Sequence, residues 1–251
     1  MSQLGSTYQS MGKFRDAEAL HRECWEKRKK ILGENALDTV ESAHNLAGSL
    51  SDQDRLAEAE VLYRDCLEKQ KKWGYTDHPM QLVTMNTLGL TLDKMGKYAQ
   101  AETMLKQCYE KKKSVFGIDH PSTLNTLSNM ASNFDNQNKK EAEPTFKLCL
   151  QKMKAVLGSD TMDTLCLMHN YGNYYLKNGH YKLAEPILNE CLERRVKVLG
   201  PIHPYTNLTV QSLASLYAET GQKDKYREIL EKHVKKPPPP PECTQSSSLF
   251  S

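Results

Sequence analysis

The sequence predicts an all-α array of stacked helical hairpins, and three observations carry that prediction. Alanine-glutamate pairs recur at Ala17-Glu18, Ala59-Glu60, Ala101-Glu102, Ala142-Glu143 and Ala184-Glu185, with successive spacings of 42, 42, 41 and 42 residues. A cysteine follows each alanine by seven residues, at Cys24, Cys66, Cys108, Cys149 and Cys191. Between these marks, apolar residues return every three or four positions, as on a helix with one buried face. A fixed period of this length denotes a solenoid of small supersecondary units rather than one globular core.

The period divides the chain into units of about 1–35, 36–77, 78–119, 120–160, 161–202 and 203–234, with a Pro/Ser-rich tail over 235–251. The unit 120–160 shows how each is built. Pro121 suits the first helical position, where its missing N–H costs nothing. Leu124, Leu127, Met130, Ala131 and Phe134 then form one apolar stripe, and the polar stretch Asp135 to Lys140 turns the chain. The second helix carries Ala142, Phe146, Cys149, Leu150, Met153 and Leu157 on one side, and Gly158 is suited to a left-handed C′ stop. Gly33, Gly74, Gly117 and Gly200 repeat that stop, and His78-Pro79, His120-Pro121 and His203-Pro204 restart the chain. Pro144 and Pro186 fall about one turn inside second helices, near N–H groups that have no intrahelical partner.

Small residues recur on the first helix at Gly5, Ala47, Gly89, Ala131, Gly172 and Ala214, about 12 residues before the repeated alanine. The spacing predicts that these two small side chains face each other across a close crossing. Leu50, Leu92, Phe134, Tyr175 and Tyr217 lie three residues further on and are expected to fill the space above. In the last unit Tyr226 replaces the alanine, and Lys223, Asp224, Lys225, Arg227 and Glu228 make the helix polar, as a terminal cap requires.

Composition narrows the function classes. A formal net charge of +3 is too small to imply nucleic acid or membrane as a partner. No apolar run approaches the ~18 residues of a membrane span, and residues 1–14 hold no secretory apolar segment, so a cytoplasmic protein is expected. Equivalent cysteines in stacked hairpins lie roughly 16 to 20 Å apart, so the five repeated thiols should not pair with one another and should fill gaps between helices. Cys166 and Cys243 fall outside the pattern. Second helices begin acidic and end basic, which complements the helix dipole. No glycine-rich phosphate loop, GxSxG or HExxH is present, so no enzyme activity, cofactor or metal is expected.

The copy Leu88-Gly89, Leu92, Gly96, Tyr98, Ala101 resembles the tetratricopeptide repeat, whose basic motif has 34 residues. The longer period, the early Ala-Glu and junctions such as Gly117-Ile118-Asp119-His120-Pro121 are similar to the repeats of kinesin light chains and the wider kinesin-light-chain-like family. The resemblance covers residues 1 to about 234. It implies a right-handed superhelix of about six hairpins, serving as a protein-protein interaction scaffold or adaptor. The chain departs from that family in showing no N-terminal heptads, and in lacking the groove cations that kinesin light chains present to acidic cargo peptides.

The resemblance also places a concave groove on the first helices. Counting from the small residue, positions two and three before it and one after it are His44, Asn45, Asn86, Ser128, Asn129, Ser132, His169, Asn170, Asn173, Gln211, Ser212 and Ser215. The set is neutral and amide-rich, which suits the backbone of an extended peptide. For Asn45, Asn129 and Asn170 a role in tying neighbouring helices together is an equal reading. The run Pro237 to Pro241 opens a tail expected to be disordered, and it offers a ligand for SH3, WW or EVH1 domains. A different class of function, the sensor or autoinhibitory array of a larger signalling NTPase or other enzyme, would be supported by a phosphate-loop domain encoded upstream.

Overall fold

The computed structural model describes residues 2–74 and 77–233. Within them the chain forms twelve helices and no strand: α1 (Ser2–Ser10), α2 (Phe14–Leu32), α3 (Leu37–Asp52), α4 (Leu56–Lys72), α5 (Pro79–Lys94), α6 (Tyr98–Phe116), α7 (Pro121–Asn136), α8 (Ala142–Val156), α9 (Met162–Lys177), α10 (Tyr181–Leu199), α11 (Pro204–Glu219) and α12 (Lys223–His233). They fall into two compact units, Met1–Ser159 with α1–α8 and Asp160–Ser251 with α9–α12. In the first unit each second helix up to α6 packs against the helix before it and the helix after it, α8 packs on α7, and α1, α3, α5 and α7 touch one another in sequence. The second unit repeats this with α9 and α11 as its first helices. The Pro237–Pro241 and Cys243 expectations lie outside the described residues.

The turn inside each hairpin is one device used six times. Gly12, Asp54, Gly96, Asn138, Gly179 and Gly221 share a repeat position and all have positive φ, between 52° and 75°. The residue after each donates its N–H to the carbonyl five residues back, as Lys97 does to Leu92 and Lys139 to Phe134, both at 2.9 Å. This is the Schellman ending, and Asp and Asn are among the few side chains that tolerate the left-handed residue it needs. The expected left-handed stop therefore ends the first helices. Gly33, Gly117 and Gly200, which follow second helices, instead have φ of 91°, 96° and 89° with ψ near 160°, an extended backbone essentially restricted to glycine.

That extended glycine sets up the junction. Its carbonyl accepts the hydroxyl of Thr39, Thr123 or Thr206 at 2.8–2.9 Å. His78, His120 and His203 then cap the next helix, with Nδ1 accepting from the N–H two residues on. Proline follows at the first helical position, where no donor is needed. The single 41-residue spacing has a local cause. Between Lys139 and Ala142 one residue is missing relative to Lys97–Ala101, and α8 begins only at Ala142, whereas its counterpart α6 begins three residues before its alanine. Pro144 accordingly lies in the first turn. Pro186 is the sixth residue of α10, beyond the unpaired N–H groups, so it leaves the Lys182 carbonyl without its usual helical donor.

At Gly5, Gly89 and Gly172 the nearest side chain is not the repeated alanine that the spacing pairs with them. A Cβ built on Gly89 would lie 2.7 Å from Leu105 Cδ2, and one on Gly172 would lie 2.5 Å from Leu188 Cδ2. At Gly5 the neighbour is the His21 ring, at 2.7 Å. The small position thus accommodates the large residue one turn beyond the alanine. That residue is Tyr63 or Phe146 where the small position is Ala47 or Ala131, and His21, Leu105 or Leu188 where it is glycine. The alanines Ala59 and Ala101 pack with Leu46, Leu50, Tyr63, Leu88 and Leu92 in one continuous core. Each fully buried leucine there contributes about 1.5–3 kcal/mol.

Candidate functional site

The expected groove residues lie on the first helices, which pack on the second helices to either side and on one another, so the surface these helices leave uncovered is the candidate site. Its geometry depends on how hairpins are joined, and that joint is polar. The residue four after the repeated cysteine reaches from a second helix to the next first helix in four of the five cases, Met153 being the exception. Arg28 donates to Ser42 at 2.7 Å, Gln70 to Thr84 at 3.3 Å, Lys112 to Thr126 at 2.9 Å and Arg195 to Thr209 at 2.8 Å. Lys112 is 3% exposed and Arg195 1% exposed. Their acceptors are hydroxyls and carbonyls, Ser122 for Lys112 and Tyr205 for Arg195. Burial accordingly pushes the Lys112 ammonium below the usual lysine range.

Some predicted groove residues belong to this joint. His44 Nδ1 meets Thr84 Oγ1 at 3.2 Å. Asn86 is buried, and its Oδ1 accepts from both Thr126 and Asn129, at 3.0 and 3.1 Å. Asn45 donates to Ser2, and Asn129 also reaches Asn125. In α3 and α5 the register three before the small residue therefore bonds to the next first helix, whereas Gln211, at the same register of α11, is exposed. Registers two before and one after it hold Asn129, Ser132 and Asn173, which are half-buried, and Asn170, which is exposed. Ser128, Ser212 and Ser215 range from half-buried to exposed.

In the second unit His169 and Asn173 pair across one turn, Asn173 Nδ2 lying 2.9 Å from His169 Nε2. Burial, assisted by the Arg195 charge, takes the His169 imidazole down to about 4, and burial alone takes His44 to about 4. Both rings are neutral at neutral pH. Sequence reasoning missed a further partly exposed first-helix register, six before the small residue: Glu41, Val83, Asn125, Cys166 and Leu208. Val83 is 47% exposed and Leu208 45%. The signal was present, since these positions lie one turn before Asn45, Thr87, Asn129, Asn170 and Ser212 on the same stripe.

The repeated motifs support this surface rather than form it. Cys66, Cys108, Cys149 and Cys191 are buried, and each Sγ donates to a first-helix carbonyl 25 or 26 residues earlier, at 3.2–3.5 Å. Burial pushes the Cys66 and Cys149 thiols up to about 12. The repeated glutamate is more than a dipole partner. Glu18 binds Arg22 and, from the next hairpin, Arg55, both at 2.7 Å. Glu60 binds Arg64 and Lys97, and Glu102 binds Lys106 and Lys139. Burial alone would raise Glu102, but bonds from Lys106, Lys139 and Gln137 outweigh it and hold the carboxyl at about 2.

Among the described residues no cluster of three or more His, Cys, Asp or Glu side chains is arranged to hold a metal, and no helix is long and apolar enough to cross a membrane. With period, hairpin and inner face in place, the comparison with known proteins is direct. The tetratricopeptide repeat family model matches residues 1–72, 43–114 and 163–235, and the chain belongs to that family. Among solved structures it is similar to BtubC (BKLC) from P. vanneervenii, with TM-score 0.71 and 17% identity over 95% of this chain and 98% of that one. It is also similar to two structures of the nearly identical TPR-like repeats of a Podosopora anserina kinesin-light-chain-type protein, with TM-scores 0.65 and 0.63. Each is 21% identical and covers 78% of this chain and 93% of that one. No curated protein matches the chain.

Proposed function

We propose that the chain is a protein-interaction adaptor that holds extended partner peptides against the inner face of its first helices. The observation that carries this reading is the contrast in burial among first-helix amides. Asn86 is buried between α5 and α7, where Thr126 and Asn129 donate to it. Asn129 and Asn173 are half-buried, and Asn170 and Gln211 are exposed. Such groups provide donors and acceptors for peptide backbone without fixing side-chain identity. The kinesin-light-chain-type neighbours and the family's general use in protein binding agree with an adaptor role, and the fold is one generally without catalysis. The test is replacement of Asn129, His169 and Asn173 by alanine, which spares the apolar stripe. At about 0.5–1.5 kcal/mol per lost hydrogen bond, affinity for a display-selected peptide should fall tenfold or more while helicity is kept. Unchanged affinity in a folded triple variant overturns the reading.

A further inference from the structure

We infer that the inner face of α3, α5 and α7 selects a basic peptide in which a lysine or arginine lies about three residues from an aliphatic side chain. This rests on the groove reading above and assigns its partner's chemistry. The three helices offer three different stripes. On α3, Asp38, Glu41, Asn45, Gly48 and Asp52 follow one another at spacings of three and four, and the three carboxylates are exposed. On α5 the same register gives Met80, Val83, Thr87, Leu90 and Lys94, with Val83 47% exposed. On α7 it gives Asn125, Asn129, Ser132 and Asn136, all amide or hydroxyl.

Charge complementarity decides the occupant. Over Leu37–Asp52, Pro79–Lys94 and Pro121–Asn136 there are five carboxylates and one lysine. That lysine, Lys94, lies at the far end of α5, beyond Leu90. The cation nearest Glu41 is Arg28, whose Nη1 is 3.7 Å away but is already bonded to Ser42 and the Asp38 carbonyl, leaving Glu41 48% exposed. Gln9 occupies one oxygen of Asp52. Asp93 is held only by the neutral amides of Asn133 and Asn136; burial pushes its carboxyl up, and those two bonds only partly oppose that. An acidic peptide would meet repulsion along α3, and a basic one would find carboxylates without full ion pairs.

The spacing follows from geometry. Neighbouring first helices bond directly, His44 to Thr84 and Thr126 to Asn86, so their axes lie roughly 8–10 Å apart, closer than the spacing expected between equivalent cysteines; an extended chain rises about 3.3 Å per residue, so a peptide crossing the face passes one helix about every three residues. A cation over Glu41 then places the third residue on over Val83, the equivalent position of α5, and the backbone beyond reaches Asn125 and Asn129.

The experiment is selection from an unbiased peptide library on the full chain, followed by titration of the selected peptides against variants. The expected result is enrichment of Lys or Arg three residues from Leu, Ile or Val. Asp38→Lys/Glu41→Lys should weaken those peptides at least fivefold at low salt, with the difference shrinking at 0.5 M salt as charges are screened. Acidic or charge-indifferent selected peptides would overturn the inference, as would full affinity in the charge-reversed variant. Val83→Asp and Asn129→Ala separate the two levels. If they weaken binding while charge reversal does not, the groove reading stands and this inference falls. If folded variants of all three kinds bind as the parent does, or if no peptide is selected, both fall.

Discussion

Gly89→Ala probes the hairpin crossing with a single methyl group. The added Cβ would lie 2.7 Å from Leu105 Cδ2 and 2.8 Å from Cγ, against about 3.5–4.0 Å for an unstrained carbon contact. Leu105 is fully buried, so it cannot swing aside into solvent. Overpacking of this kind costs about 1–3 kcal/mol. Replacing a mid-helix glycine by alanine gains about 1 kcal/mol, which opposes it. The net expectation is a loss of up to about 2 kcal/mol, read as a lower urea midpoint. The chain contains its own rescue, because Ala47 shares a core with Tyr63 at the equivalent pair of positions. Adding Leu105→Tyr to Gly89→Ala should recover part of the loss, with a coupling of about 0.5–3 kcal/mol in a double-mutant cycle. If Gly89→Ala instead raises stability by the full helical gain, the close approach of α5 and α6 is wrong.

Three further outcomes follow from the buried groups. The depressed His44 and His169 imidazoles bind protons only when unfolded between pH 6.5 and about 4; stability should therefore be complete above 6.5 and fall on acidification by about 1.4 kcal/mol per pH unit for each, with His→Gln variants flattening the slope. Glu102, at about 2, contributes stability that is present above its unfolded value of 4.5 and lost as pH falls towards 2, so Glu102→Gln should remove the part of the acid transition below 4.5. Lys112→Met combined with Thr126→Leu, the residues found at the equivalent positions Met153 and Leu167, should be neutral or stabilising in chemical denaturation, because an apolar pair can replace a buried cation that has no counterion.

Much of the fold was legible because repetition averages out local ambiguity. The alternation of two helices, the His-Pro starts and the buried cysteines all follow from residues that recur at one register. What escaped was pairwise. Counting 12 residues from Gly89 leads to Ala101, but the neighbour of Gly89 is Leu105, one turn further, because a side chain on an antiparallel partner is aimed along its own axis. The role of Glu18 and Glu60 was half visible: a first-turn carboxylate complements the dipole in any helix, while its bond to Arg55 or Lys97 exists only once hairpins are stacked. The groove list suffered likewise. Asn86 and Asn129 look alike in sequence, yet one is buried between first helices and the other stands half-open beside it.

The adaptor reading is tested most directly by titrating a selected peptide into the isotope-labelled chain and following the side-chain amide resonances. It predicts that Asn125 and Asn129 on the first helix α7 shift with one common affinity, while Gln100 and Gln107 on the second helix α6 stay in place. Shifts confined to the second helices, with the first-helix amides unmoved at saturation, would contradict it.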